Sequence, residues 1–261
     1  MKSINILFEI RPLLTVLSCF ILSFTGSYAQ TTLKVDYSVR KNDRYFEAML
    51  VHNPELSVYT EFYSKIKDTV IFESNDRQSR TVNLKPLDDL HFIKDFNTGK
   101  IFHKGSVLSK KYFVTDSTDI FEWELTQDTL SVLGLKCQKA NVSFRGRDYH
   151  AYFTTEIMIS DGPWKFNGLP GLILKIVSLD EAYEFEAVGI DTRHDYVIAD
   201  YENFINEIKK DRIPIIYTDY FKLKHQKLKE LYQKQISELS TATSGAFRKY
   251  TEIEVIFEYP K

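Results

Sequence analysis

Cysteine is almost missing from this chain. Of 261 residues only Cys19 and Cys137 carry a thiol, and Cys19 lies in an apolar run near the start. A mature chain without that run keeps Cys137 alone, which excludes an internal disulfide framework. The ordinary place for such a residue is buried and apolar on a strand; a reactive thiol or intermolecular bridge is the functional alternative. An excess of either charge is missing too. Thirty-four basic and 36 acidic residues leave a net charge of −2, and no basic stripe marks a nucleic-acid surface. The longest apolar run, Leu13 to Phe24, is too short to span a bilayer as a helix. No G-x-S-x-G elbow occurs, and the six histidines are scattered without zinc-ligand spacing. We therefore expect no metal and no cofactor.

The short apolar run has another meaning. Lys2 and Arg11 precede it and Ser27-Tyr28-Ala29 follows as a small-x-small site, the layout of a secretory leader. Residues 1–29 are expected to be removed, leaving 30–261 as a single β-rich domain in the periplasm or outside the cell. Cleavage before Cys19, with lipid attached there, is the alternative, disfavoured because the apolar run continues past it.

Glycine and proline are sparse, with ten and seven residues, yet three glycines and two prolines fall within Gly162 to Gly171. Gly168-Leu169-Pro170-Gly171 reads as a tight bend, with φ > 0 expected at Gly168 or Gly171 and Trp164 packed beneath it. The bend opens into Leu172-Ile173 and a strand to Val177 with too few polar positions to be half solvated.

Fourteen per cent of the residues are aromatic, which favours strands. Residues 33–39 alternate with Leu33, Val35, Tyr37 and Val39 on one face, and 45–52 and 56–63 continue a meander. The pattern fails from Lys65 to Leu90, where one or two short elements are expected. It resumes at 100–103, after Gly105 at 111–114, and at 121–125 with Phe121, Trp123 and Leu125 inward. Segments 135–144 and 148–159 read as a hairpin through Arg145-Gly146-Arg147, and 182–188 pairs with the strand after the bend. A short helix over 201–210 and a break at Pro214 precede an amphipathic helix over 217–239 whose lysines lie mostly off the apolar stripe. A last strand is expected at 251–259. The fold class is mainly β: a curved antiparallel sheet, open or closed into a half-barrel or barrel, with C-terminal helices packed on it.

The hexapeptide Gly168-Leu-Pro-Gly-Leu-Ile173 resembles the signature of the GLPGLI family, exported bacterial proteins named for that motif and without an assigned activity. Cys137-Gln-Lys-Ala140, Gly146-Arg147 and Asp161-Gly-Pro-Trp-Lys-Phe166 resemble the family's pattern in order and spacing. Tyr152 stands where the resemblance leads one to expect tryptophan, and Met158 where it leads one to expect proline. The resemblance implies export and brings no catalytic residues.

The candidates for chemistry are few. Arg145 and Arg147 at a hairpin tip would grip a carboxylate or phosphate, or hold the turn through an acidic neighbour. Asp161, Trp164 and Asn167 cluster at the bend; Trp164 is either a ligand platform or a core plug with its indole N–H bonded to backbone. His91 with Asp88 and Asp89, and His194 with Asp191 and Asp195, are carboxylate neighbourhoods better read as solvated turns. The lysine-rich helix offers a solvated face, a surface for lipid headgroups or an anionic partner, or a lid over the sheet. The leading expectation is a non-enzymatic envelope protein that binds an apolar or peptide-like ligand, or a partner protein, inside the curve. A hydrolase assembled from scattered side chains and a structural scaffold are the alternatives.

Overall fold

The computed structural model describes residues 32–42, 44–63, 69–73, 79–83, 88–192 and 201–238. Within these described residues, fourteen strands and two helices run in the order β1 (Leu33–Lys41), β2 (Arg44–His52), β3 (Leu56–Glu61), β4 (Thr69–Glu73), β5 (Ser79–Asn83), β6 (Leu90–Asp95), β7 (Lys100–Val107), β8 (Lys110–Ser117), β9 (Glu124–Val132), β10 (Leu135–Phe144), β11 (Arg147–Thr154), β12 (Leu172–Ser178), β13 (Tyr183–Asp191), α1 (Tyr201–Lys209), β14 (Ile213–Ile216) and α2 (Tyr217–Glu238). Twelve strands form one sheet ordered β14-β8-β7-β6-β3-β2-β1-β13-β12-β11-β10-β9, and β4 and β5 pair separately as a hairpin. The first strand sits in the middle, with one meander growing from each of its sides. The alternating residues Leu33, Val35, Tyr37 and Val39 are all buried, as their period-two spacing predicts.

The described chain is mostly β, and its twelve-stranded sheet is curved and open. β9 and β14 are its two edges among the described strands, so no ladder closes a barrel. Closure comes instead from side chains. Asp116 at the end of β8 pairs with Arg145 of the β10–β11 turn, joining the two ends of the sheet across the curve. Inside the curve lies the connection between β11 and β12. Its Trp164, Phe166 and Leu169 share one buried cluster with residues of β1, β2, β3, β6, β10, β11 and β13.

The helices pack on opposite faces of one sheet end. Ile205 and Ile208 of α1 cover Leu56, Ile93 and Phe113, while Tyr217, Tyr220 and Phe221 of α2 cover Val107, Tyr112 and Val114. Ile93 and Phe113 alternate with Phe92 and Tyr112, so these strands are covered on both faces. Leu231 is exposed, so the apolar stripe of α2 is buried chiefly in its first turns.

Several details depart from the sequence pattern, each for a physical reason. β6 was not legible because its inner face carries Lys94, a residue that normally argues against burial but is 0% exposed here. Gly105 does not break the chain. It lies within β7 because the ring of Tyr220 occupies the space where its Cβ would point. Residues 121–123 are not a strand, although Phe121 and Trp123 do pack inward; Leu125 is 51% exposed on edge strand β9. The strand expected over 148–159 ends at Thr154. Pro214 does not interrupt the structure: it sits in β14, an edge strand, where a missing N–H is tolerated, and β14 runs parallel to β8. The expected leader, His194 with Asp195, and the strand over 251–259 lie outside the described residues.

Candidate functional site

The connection from β11 to β12 is held by its own backbone. Phe166 N–H donates to Pro163 C=O, closing a turn whose first central residue, Trp164, has φ of 53°. Glycine is usual at such a position, and a tryptophan stays there only when its ring is fixed elsewhere. Trp164 is 3% exposed, edge-on to Phe92, Phe144 and Phe166. Phe166 in turn meets Phe121, Trp123, Tyr149 and Phe185. Gly168 has φ of 92°, while Gly171 is required for a different reason: an added Cβ would fall 2.1 Å from Thr154 O. The indole beside Gly168 is that of Trp123, not Trp164. Trp123 Nε1–H donates to Asn167 O at 2.8 Å. Ile173 N–H donates to Asp161 C=O, which starts β12 on the motif itself.

Two buried charge clusters pin this connection to the sheet. Asp161 is fully buried and accepts from Lys94 Nζ and from His52 Nδ1, the latter at 2.9 Å. Lys94 Nζ also donates to Gly162 O at 2.7 Å and Phe166 O at 3.3 Å. Burial raises the Asp161 pKa, but the Lys94 ammonium and the His52 hydrogen bond more than offset this and hold it at about 2. Burial lowers the Lys94 pKa despite the neighbouring carboxylate. Desolvation of the two ions offsets much of their mutual attraction, while loss of either partner strands a buried charge. The second cluster centres on Asp116, which accepts two bonds from Arg145, at 3.0 and 2.8 Å, and one from Lys165 at 2.9 Å. Burial opposes ionisation there too, but Lys165 and Arg145 prevail and hold the carboxyl at about 2. Lys165 is 1% exposed, its Nζ 3.7 Å from the centroid of Tyr217. Arg145 lies over the same ring at 4.1 Å.

These contacts define what each candidate residue does. Arg145 and Arg147 do not act together. The turn is Arg145-Gly146, both with positive φ, and Arg147 is already in β11, paired with Asp180 at 2.9 Å and lying over Tyr183. Asp161 holds the connection from inside, and Asn167 braces it by donating Nδ2–H to Lys165 O. Leu169, Leu172 and Ile173 are core residues, and Pro170 is exposed on the bend. Cys137 is buried and free, its thiol near Leu135 O. His91 Nδ1 meets Thr60 Oγ1 at 2.9 Å. Sequence reasoning missed Lys94, His52, Asp116 and Lys165. Lys94 had a usable signal: it follows Phe92 by two, on the same face of a short strand.

Beside the connection a cleft of about 830 Å³ opens between the sheet and α2. Trp164 and Lys165 form part of its wall, with Phe92, His103, Tyr183, Tyr217 and Tyr220. Of the residues singled out from sequence as ligand candidates, only Trp164 reaches it, so it is both core plug and cleft wall. Seven lysines or arginines line the cleft against two aspartates, Asp88 and Asp89. Lys41 on the lining is tied to buried Glu61 at 2.6 Å, alongside Tyr63. His103 Nδ1 donates to Lys104 O at 3.0 Å, and its Nε2 is buried without a hydrogen-bond partner. Burial and the Lys165 cation push the His103 pKa down to about 3, so the ring is neutral. Among the described residues, no group of three or more His, Cys, Asp or Glu side chains is placed to hold a metal ion, and no helix is long and apolar enough to cross a membrane.

A family model described as "Protein of unknown function (Porph_ging)" matches residues 145–175, from the β10–β11 turn into β12. No curated protein matches the chain. Among solved structures, the fold is similar to PNGF-II in two crystal forms, in space groups P21 and C2. Each gives a TM-score of 0.51, with 13% and 15% identity over 76% of this chain. The match takes in 34% and 33% of those chains, so this chain spans about a third of their length. At such identity the likeness is one of fold alone.

Proposed function

We propose that this chain is an exported, non-catalytic binding protein of the GLPGLI kind, acting in the periplasm or outside the cell. It takes a peptide-like ligand, or a segment of an envelope partner, in the cleft between the sheet and α2. The observation that carries this reading is the cleft itself. Its volume falls in the range of roughly 300–1,000 Å³ usual for ligand sites, and aromatic rings held by the core line it. The rings expected to surround an open apolar cavity inside the curve pack instead on Trp164 and Phe166, which leaves the side facing α2 for a ligand. A hydrolase would pair a histidine with a hydroxyl or thiol nucleophile. His103, the histidine of the cleft, bonds only to a backbone carbonyl, Cys137 is buried elsewhere in the core, and the paired His91 and Thr60 do not line the cleft.

Native mass spectrometry of the protein released gently from its own cell envelope tests this reading. A retained mass in the unaltered protein, lost on Leu228→Trp, which fills the cleft from α2, is the expected result. Protein that carries no extra mass, or carries one that Leu228→Trp leaves in place, would sink the cleft as the binding site.

A further inference from the structure

Two orphaned polar atoms on cleft residues point to the ligand's chemistry. The interior cations are already paired, Lys41 with Glu61 and Lys165 with Asp116, and Lys227 at the rim reaches Glu230. Lys104 and Lys111 of the strands, Arg212 and Lys224 also line the cleft, with only Asp88 and Asp89 as acidic lining residues; Lys224 Nζ lies 6.0 Å from the Tyr220 centroid. Arg212 donates Nη1–H to Lys210 O at 3.3 Å, but its Nε–H is buried without a partner. An orphaned guanidinium donor in a cleft of surplus positive charge calls for an anionic acceptor, and a carboxylate fits its planar fork. The second orphan, His103 Nε2, is of the opposite kind. Because Nδ1–H is used on Lys104 O, Nε2 is an acceptor and calls for an N–H or O–H donor. Tyr183, Tyr217 and Tyr220 line the same cleft.

A ligand that offers carboxylates, N–H donors and planar or apolar groups together is a peptide with acidic side chains. We propose that the cleft binds an acidic peptide segment, its carboxylates toward Arg212, Lys104 and Lys224 and a backbone N–H toward His103. This rests on the ligand-binding reading above and narrows it to one class of ligand.

Calorimetric titration of the full mature chain tests the proposal. The probe is the capped tripeptide Ac-Glu-Tyr-Glu-amide, compared with Ac-Gln-Tyr-Gln-amide and Ac-Lys-Tyr-Lys-amide. The acidic probe is expected to bind at least about tenfold more tightly than the glutamine one, as loss of charge-assisted hydrogen bonds implies. Raising sodium chloride from about 50 to about 500 mM should weaken it several-fold, since screening shortens the reach of these charges. Arg212→Gln and Lys224→Gln should each weaken it several-fold with an unchanged unfolding midpoint. Lys222→Gln, on the exposed side of α2, should leave binding unchanged. Equal binding of the glutamine probe, or no binding of the acidic one, overturns the proposal. If the envelope protein then still retains a mass that Leu228→Trp removes, the cleft remains a binding site for an uncharged ligand; if it retains none, both readings fall.

Discussion

Gly171→Ala should be among the most damaging small substitutions in the chain, and the structure says why. An alanine Cβ there would lie 2.1 Å from Thr154 O, 2.7 Å from Thr154 C and 3.1 Å from Thr155 N. Ordinary C···O contacts begin near about 3.3 Å, so the atoms must separate by roughly an ångström. What is struck is backbone at the end of the β11–β12 ladder, where Thr154 pairs with Leu172, and backbone cannot rotate aside. Overpacking usually costs about 1–3 kcal/mol, and this site should reach the top of that range or exceed it. Gly168→Ala is a different perturbation. Its Cβ would meet only Trp123, at 3.6 and 3.8 Å, and the cost is that of φ > 0, about 1–2 kcal/mol. Asparagine tolerates this conformation, so Gly168→Asn should recover part of the loss, while Gly171→Asn should recover nothing. Urea melts of the four variants, compared by midpoint at constant slope, separate the two causes. Equal losses at both glycines, or no advantage of Asn over Ala at Gly168, would refute the reasoning.

Four further outcomes are expected. Asp161 and Asp116 have folded pKa values depressed to about 2. Their stabilisation is therefore complete well above the unfolded value near 3.8 and is lost as pH falls from about 4 to about 2, by about 2 kcal/mol each. Melts over this range should show the slope, and Asp116→Asn should reduce it. Lys94→Met should cost about 3–5 kcal/mol because it leaves Asp161 buried with one partner fewer, and Lys94→Met with Asp161→Leu should cost less than the sum of the two single changes, as a double-mutant cycle would register. Cys137, whose pKa burial raises, should react slowly with a thiol reagent in native protein and rapidly in denaturant; fast native labelling would contradict its packing. Intact-mass measurement on envelope material should give a chain that begins near Gln30, and a lipid-modified start at Cys19 would overturn the export reading.

What the sequence determined by itself is local. Alternation in β1 placed Leu33, Val35, Tyr37 and Val39 on one buried face, because side chains on a strand point to opposite sides whatever the strand pairs with. Glycine and proline marked the bend before β12, because their backbone limits hold in any context. Which neighbour each strand takes, and what sits inside the curve, depended on residues far apart in the chain. Lys94 hid β6 because a lysine is solvated unless a carboxylate meets it, and Asp161 arrives from 67 residues later. Arg145 read as a grip for an outside anion or a brace to an acidic neighbour, because Asp116, which accepts from its Nη1 and Nη2, belongs to the other end of the sheet. Likewise the cleft exists only where α2, β7, β8 and the bend come together. Propensity and periodicity act within a few residues, whereas burial of charge and shaping of a cleft are settled by partners that only the folded chain supplies.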